Sequence, residues 1–365
     1  MNNIYGDLVF FTYVDNKNYN DIKEGGLSRY LGLYRYIEST SFDKRYVKLN
    51  GKGRRVINLI RIYGTLFFTR KCILIFQYPG LGIPIFRKNL IVSLIRKVFL
   101  KLLKFSSSRN KIYIDVADLP YEQSKALELN TNYDFNIFKN IETQIFSLEN
   151  TTYVFASYSM RDYICYKYNL VENKTVVCVN GGHKLKTFDI SKYDGFINKD
   201  KSNYIYAGTL NKGRQIEKLI GIFKKCPNCN LILIGINGEW IGKEGLPGNI
   251  QYLGSLEEEE AHELTSMCDV GIIPYDSDRF YYNIAYPTKL SFYITAGITF
   301  LSTKVREVQN INEKYNIGYT IDINDWENSI KNLSKREIND EKEKINVIKD
   351  NFYWKNIFDI IKMDD

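Results

Sequence analysis

What most constrains this chain is an alternation that starts again halfway along. In the first half LVFFTYV, KCILIFQY, KIYIDVA, TYVFAS and TVVCVN read as strands, and in the second YIYAGT, LILIGI, IQYLGS, DVGIIPY and ITFLST do, with loops or helical periodicity between them. Strands separated by helices predict parallel sheets, because a parallel neighbour can be reached only by a crossover long enough to hold a helix. At 365 residues the chain is too long for one ordinary core, so the restart predicts two doubly wound α/β domains joined across Gly181 to Lys201. We place the first at 1–182 and the second at 183–349, followed by a final helix over 350–365 with Trp354 and Phe358 on its apolar face.

Composition excludes several classes. With 44% hydrophobic and 25% charged residues the chain is globular rather than disordered. Six scattered cysteines make no disulfide framework and fit a reducing cytoplasm. The opening MNNIYGDLVFFTYVD meets Asp7 before any long apolar run, so it reads as a strand and not a signal peptide. The longest apolar tract, CILIFQYPGLGIPIF, is too short and too broken to cross a bilayer.

Charge is regional. From Lys44 to Lys111 there are 17 Lys and Arg and no Asp or Glu, so the net charge of +8 is one patch and the remainder sums to −9. Inside the patch, NLIVSLIRKVFLKLLKF carries an apolar stripe at helical spacing with Arg96, Lys97, Lys101 and Lys104 on its other faces. Such a helix either packs on a core with a solvated basic face or docks on an anionic membrane leaflet. Nucleic acid is not expected as a partner, since no DNA- or RNA-binding motif accompanies the patch.

The stretch AYPTKLSFYITAG places Lys289 in the first turn of a helix that starts at Pro287 and stops at Gly297. A cation there opposes the helix dipole by about 0.3 to 1 kcal/mol, so an anionic ligand is the natural reason to keep it. The loop GTLNKGRQ, entering another helix after strand YIYA, supplies Gly208, Thr209, Lys212 and Arg214 and can cradle a phosphate. It matches neither a P-loop nor GxGxxG, and βα turns also carry Gly and Lys for structural reasons alone. CPNC at Cys226 to Cys229 lacks a second ligand pair, so no metal site is expected. SLEE from Ser255 reads as a capping box, and His262 as a residue on a solvated helix.

Six motifs in order resemble the GT-B glycosyltransferase superfamily, closest to GT4-like bacterial sugar transferases: GG at Gly25 and Gly26, VNGG at Val179 to Gly182, AGTLNKG, NIQYLGSL, DVGIIPY and PTKLSFYITAG. The resemblance implies two facing Rossmann-like domains with a cleft between them, the first for the acceptor and the second for a nucleotide-sugar. It also implies a C-terminal helix crossing back onto the first. Carried over by motif, Gly208, Thr209, Lys212 and Lys289, with Arg214, would hold the donor diphosphate. Gly25 and Gly26 would approach it, and Asn237, Tyr252 and Pro274 would surround the base. Two glutamates found in many relatives are Phe292 and Ile284 here, which leaves retention or inversion open, although a subgroup resembling galactofuranosyl- and glucosyltransferases shares the KLS triplet at Lys289 to Ser291.

After strand KIYIDVADLP, Asp118 is the candidate base toward the acceptor and Asp115 the second choice, with a helix-capping role for Asp118 as the alternative. His183 either touches a substrate or is a hydrogen-bonded spacer. The expected activity is metal-independent transfer from a nucleoside diphosphate sugar, UDP the expected nucleotide, to a glycan acceptor that is free, lipid-linked or protein-linked, in bacterial surface glycan synthesis. The expected setting is cytoplasmic or peripheral on the inner membrane face, and homo-oligomerisation stays open. A catalytically silent subunit of this fold and a nucleotide-sugar epimerase are the competing functions.

Overall fold

The computed structural model describes residues 6–13, 25–49, 55–81, 89–126, 135–185 and 191–363. The chain divides into two compact units, the first made of Met1–Tyr19, Tyr30–Val179 and Phe358–Asp365, the second of Asn20–Arg29 and Asn180–Ile357.

In the first unit six parallel strands, β1 (Asp7–Thr12), β2 (Asp43–Lys48), β3 (Ile73–Tyr78), β4 (Lys111–Val116), β5 (Thr151–Phe155) and β6 (Thr175–Val177), lie in the order β2-β1-β3-β4-β5-β6. Every residue of β3 is buried, as expected for a strand covered on both faces, which reads as a mostly apolar run. The helices are α1 (Gly25–Ser39), α2 (Arg55–Phe68), α3 (Leu90–Ser107), α4 (Pro120–Ala126), α5 (Phe135–Ile145) and α6 (Tyr158–Tyr168). α2 and α3 pack side by side, and the Tyr63 hydroxyl donates to the Ile95 carbonyl at 2.7 Å.

Buried charge clamps α4, α5 and α6 together. Lys167 pairs with Glu122 and, at 3.1 Å, with Glu142. The hydroxyls of Tyr163 and Tyr168 donate to Glu122 and Glu142 at 2.9 and 2.8 Å. One lysine for two carboxylates leaves an excess negative charge, so burial and then the Glu122 charge push Glu142 up from 4.5 to about 7. A carboxyl whose folded value lies above its unfolded one contributes stability that is complete below pH 4.5 and lost as pH rises through about 7. Glu142→Gln is therefore expected to gain about 1 to 3 kcal/mol over wild type above pH 7 and little below 4.5. Urea unfolding on either side of that window checks it; a difference independent of pH would refute it.

The second unit repeats the design with β7 (Ser202–Ala207), β8 (Cys229–Ile234), β9 (Ile250–Tyr252), β10 (Val270–Ile273), β11 (Thr299–Ser302) and β12 (Gly318–Thr320), ordered β12-β11-β10-β7-β8-β9, all parallel. Its helices include α7 (Ile216–Lys224), α8 (Glu258–Ser266), α9 (Phe280–Ile284) and α10 (Thr288–Ala296). Tyr204, Leu219, Phe223, Leu231, Ile272 and Trp326 anchor one apolar core.

Two expectations about local structure need correction. The tail is not one helix: 3₁₀ turns at Lys349–Phe352 and Asp359–Ile361 flank a short helix over Trp354–Phe358. The break lets the backbone at Phe352 and Trp354 bond to Gly182, at 2.9 and 3.1 Å. Trp354 and Phe358 are nevertheless buried, and Phe358 lies 5.9 Å from Tyr36 of the first unit. Nor does SLEE form a capping box, since α8 has Glu257 at its N-cap and no side-chain cap bond.

Candidate functional site

In the second unit, Pro287 sits at the N-cap of α10, and Gly297 ends the helix in the left-handed conformation at φ 81°. Lys289 is thus on the first turn, and it is only 9% exposed. No carboxylate pairs with it among the described residues. Its ammonium lies 4.9 Å from the Tyr206 ring centre and 5.4 Å from that of Tyr275, so two aromatic faces compensate part of its lost hydration. Tyr275 in turn stacks on Tyr282 at 4.6 Å. Burial pushes the Tyr206 phenol up, and the charges of Lys289 and Arg214 oppose that rise. Arg214, exposed, also acts on Tyr282. The structure therefore groups Lys289, Arg214 and Gly208 around the Tyr206, Tyr275 and Tyr282 rings.

Gly208 is required here. At φ 144° a side chain is strained, and a Cβ would stand 2.6 Å from the Lys289 ammonium. Gly235, at φ 143°, comes closer still: its Cβ would meet the Gly208 carbonyl oxygen at 1.8 Å. Gly208 N–H donates to Ile234 and Gly235 N–H to Gly254, so the loops after β7, β8 and β9 are laced together by backbone bonds. α7 begins after Gln215, which is left-handed at φ 63° and provides no side-chain cap. Its first-turn N–H groups lack a capping side chain, whereas Gly213 N–H is taken by Glu217 at 3.1 Å.

The remaining donor-side residues fall elsewhere on the same unit. Lys212 is exposed, 5.3 Å over Trp240, whose indole N–H donates to Leu210. Asn237, left-handed at φ 62°, donates to Asn211 at 2.9 Å. The Tyr252 hydroxyl is 3.4 Å from the Gly235 carbonyl. Pro274 is buried at the end of β10, and Thr209 is half-buried with its carbonyl held by the Tyr206 hydroxyl.

VNGG has a packing role. Asn180 donates to the Tyr286 carbonyl, Ser291 of the KLS triplet donates to the Asn180 carbonyl at 2.5 Å, and Arg29 donates to the Asn180 side chain. A Cβ on Gly182 would stand 2.2 Å from Thr295 Oγ1, so only glycine lets this segment lie on α10. Gly25 and Gly26 open α1, whose first turn groups with the second unit. There Ser28 donates to Glu258 at 2.8 Å and lies 3.4 Å from His183 Nε2. His262 is not solvated: it is 4% exposed, its Nε2–H donates to the Phe292 carbonyl, and burial pushes its imidazole down to about 4.

In the first unit Asp115 is 2% exposed on β4, in register with Gln77 of β3. Asp118 is half-buried in the loop before α4. The helix begins at Pro120, and Gln123 N–H bonds to the Leu119 carbonyl. Gln77 was not singled out from the sequence. It is 1% exposed and neither amide atom has a hydrogen-bond partner among the described residues, a costly state that a ligand or water would relieve.

Residues 188–361 match the family of glycosyl transferases, group 1. No curated protein sequence matches the chain. Among solved structures, WaaG, a glycosyltransferase involved in lipopolysaccharide biosynthesis, superposes with a TM-score of 0.61 at 12% identity over 97% of this chain and 100% of its own. Anabaena HepE in complex with UDP-glucose does so at 0.63 and 12%, over 98% of each chain. Sucrose-phosphate synthase from Thermosynechococcus elongatus gives 0.58 and 11%, over 98% and 97%. The chain shares the two-sheet GT-B fold with these neighbours.

Neither of the two positions for which the resemblance implies a glutamate is polar in this chain. Phe292 packs 4.8 Å from the His262 ring, and Ile284 is buried in α9. Of the residues grouped here, Gly208, Lys289 and Ser291 are legible in the sequence motifs. Gly235 and the tyrosine faces around Lys289 were missed, because a single glycine and scattered tyrosines carry no spacing signature.

Proposed function

We propose that this protein is a glycosyltransferase that moves a sugar from a nucleoside diphosphate, with UDP the expected nucleotide, to a glycan acceptor in surface glycan synthesis. The observation that carries the proposal is Lys289, a nine-tenths buried cation without a carboxylate, held beside Gly208 at the carboxyl ends of the strands, where parallel sheets bind their ligands. When the glycosidic bond to the donor breaks, the bonding pair leaves with the diphosphate. The charge that develops there is met by Lys289, Arg214 and the α7 N-terminus. Cationic side chains thus do the work that a metal ion does in other transferases. Asp118 takes the acceptor hydroxyl proton if the reaction inverts. The complex of HepE with UDP-glucose supports the choice of nucleotide.

A silent subunit is the second reading, and Phe292 and Ile284 in place of glutamates are what favour it. Incubation with a panel of nucleotide-sugars separates the readings. Release of free UDP with a new glycosidic bond supports transfer. Tight binding without turnover of any donor supports the silent subunit, and an isomerised sugar supports an epimerase.

A further inference from the structure

Sixteen large hydrophobic side chains are exposed among the described residues, and ten of them lie on α2 and α3 alone. On α3, Phe99, Leu100 and Leu103 turn inward as core, but Ile91, Leu94, Val98 and Phe105 recur at intervals of three, four and seven and face outward. On α2, Val56, Ile60 and Phe67 mark one exposed face, and Phe68 beside them is 77% exposed. Phe67 meets Phe68 edge-on at 5.0 Å and stacks on Phe105 at 5.8 Å, so the two faces join into one apolar surface. A monomeric soluble protein rarely leaves such a surface uncovered.

Charge decides what covers it. Lys97, Lys101 and Lys104 are exposed along the same helix with no carboxylate partner among the described residues, and no Asp or Glu occurs between Lys44 and Lys111. Arg96 is half-buried and donates to Ser93. A protein partner would need a matching acidic and apolar face, and a second copy of this chain would set lysine against lysine. An anionic bilayer satisfies both halves at once, with headgroup charge for the lysines and acyl chains for the rings. No helix among the described residues is long and apolar enough to cross a membrane.

We infer that α2 and α3 form one platform that docks this protein on an anionic membrane surface, with Phe67, Phe68 and Leu94 entering the acyl boundary and the three lysines at headgroup level. The inference is independent of the transferase reading, since binding is measured without turnover.

Co-sedimentation of the full chain with phosphatidylcholine vesicles, with and without phosphatidylglycerol, tests it. The protein should pellet with the anionic vesicles at low salt and largely stay in solution without phosphatidylglycerol. Binding should weaken at high salt as the Debye length falls below about 8 Å. Each lysine near the leaflet is worth about five-fold in binding, so Lys97→Gln, Lys101→Gln and Lys104→Gln together should cost roughly 100-fold. Phe68→Ser with Leu94→Ser, both at exposed positions that leave the fold intact, should lose about ten-fold or more while keeping the salt dependence. Wild type left in the supernatant with anionic vesicles at low salt overturns the inference. So does a dimer in sedimentation velocity that Phe68→Ser and Leu94→Ser dissociate, because the surface is then covered by a second copy.

Discussion

Lys289→Met is expected to stabilise the nucleotide-free protein and to weaken UDP binding in the same variant. The two effects have one cause. A cation that is 9% exposed has given up most of its hydration; among the described residues it pairs with no carboxylate, and the faces of Tyr206 and Tyr275 lie at 4.9 and 5.4 Å. Such contacts return about 0.5 to 2 kcal/mol each, less than a well-paired charge receives, and the first turn of a helix adds an opposing dipole. Methionine fills similar volume and removes the charge, so the thermal midpoint should rise, with a gain of about 1 kcal/mol. A diphosphate would supply the missing counter-charge. Losing that charge-assisted bond should cost about 1.5 to 3 kcal/mol, roughly ten- to 150-fold in Kd by isothermal titration. Unchanged affinity would mean that the lysine is a structural oddity rather than a ligand contact.

Asp118→Asn should lower turnover by roughly 100-fold or more, with UDP affinity unchanged. α4 starts at Pro120, two residues after Asp118, so turnover rather than position separates a base from a helix-capping residue. Asp118 is half-buried in the loop that follows β4, whereas Asp115 is sunk into the strand at 2% exposed. Donor affinity serves as the internal control, since a variant that merely disturbs folding loses both. Near-normal turnover in a folded variant would exclude Asp118 as the base and favour a retaining reaction.

The fold was legible because buried parallel strands announce themselves. ILIFQY and CNLILI are buried along their whole length, and a mostly apolar run with one buried amide in each leaves little else to conclude. The two strands that escaped notice, β2 and β12, are edge strands. DKRYVK carries four charged residues and buries only Val47, and GYT is three residues long. The tail was read as one helix because apolar spacing alone cannot show that Phe352 and Trp354 bond to Gly182. In the candidate site, Lys289 stood out because a cation in a first helical turn breaks a local electrostatic rule. The surroundings of Lys289 were invisible. Tyr206, Tyr275 and Gly235 come from three different strand ends, and only the sheet order brings them together. His262 misled for a related reason. Three glutamates precede it on α8 and suggest a solvated helix, yet its own face is turned to Phe292 and Thr295.

The most direct test of the central claim is a structure of the protein with UDP bound. The account predicts the diphosphate beside the Gly208 backbone, with a phosphate oxygen about 2.7 to 2.9 Å from the Lys289 ammonium and the Arg214 guanidinium swung toward it. UDP seated elsewhere, with Lys289 still enclosed by Tyr206 and Tyr275 and touching no phosphate, would contradict it.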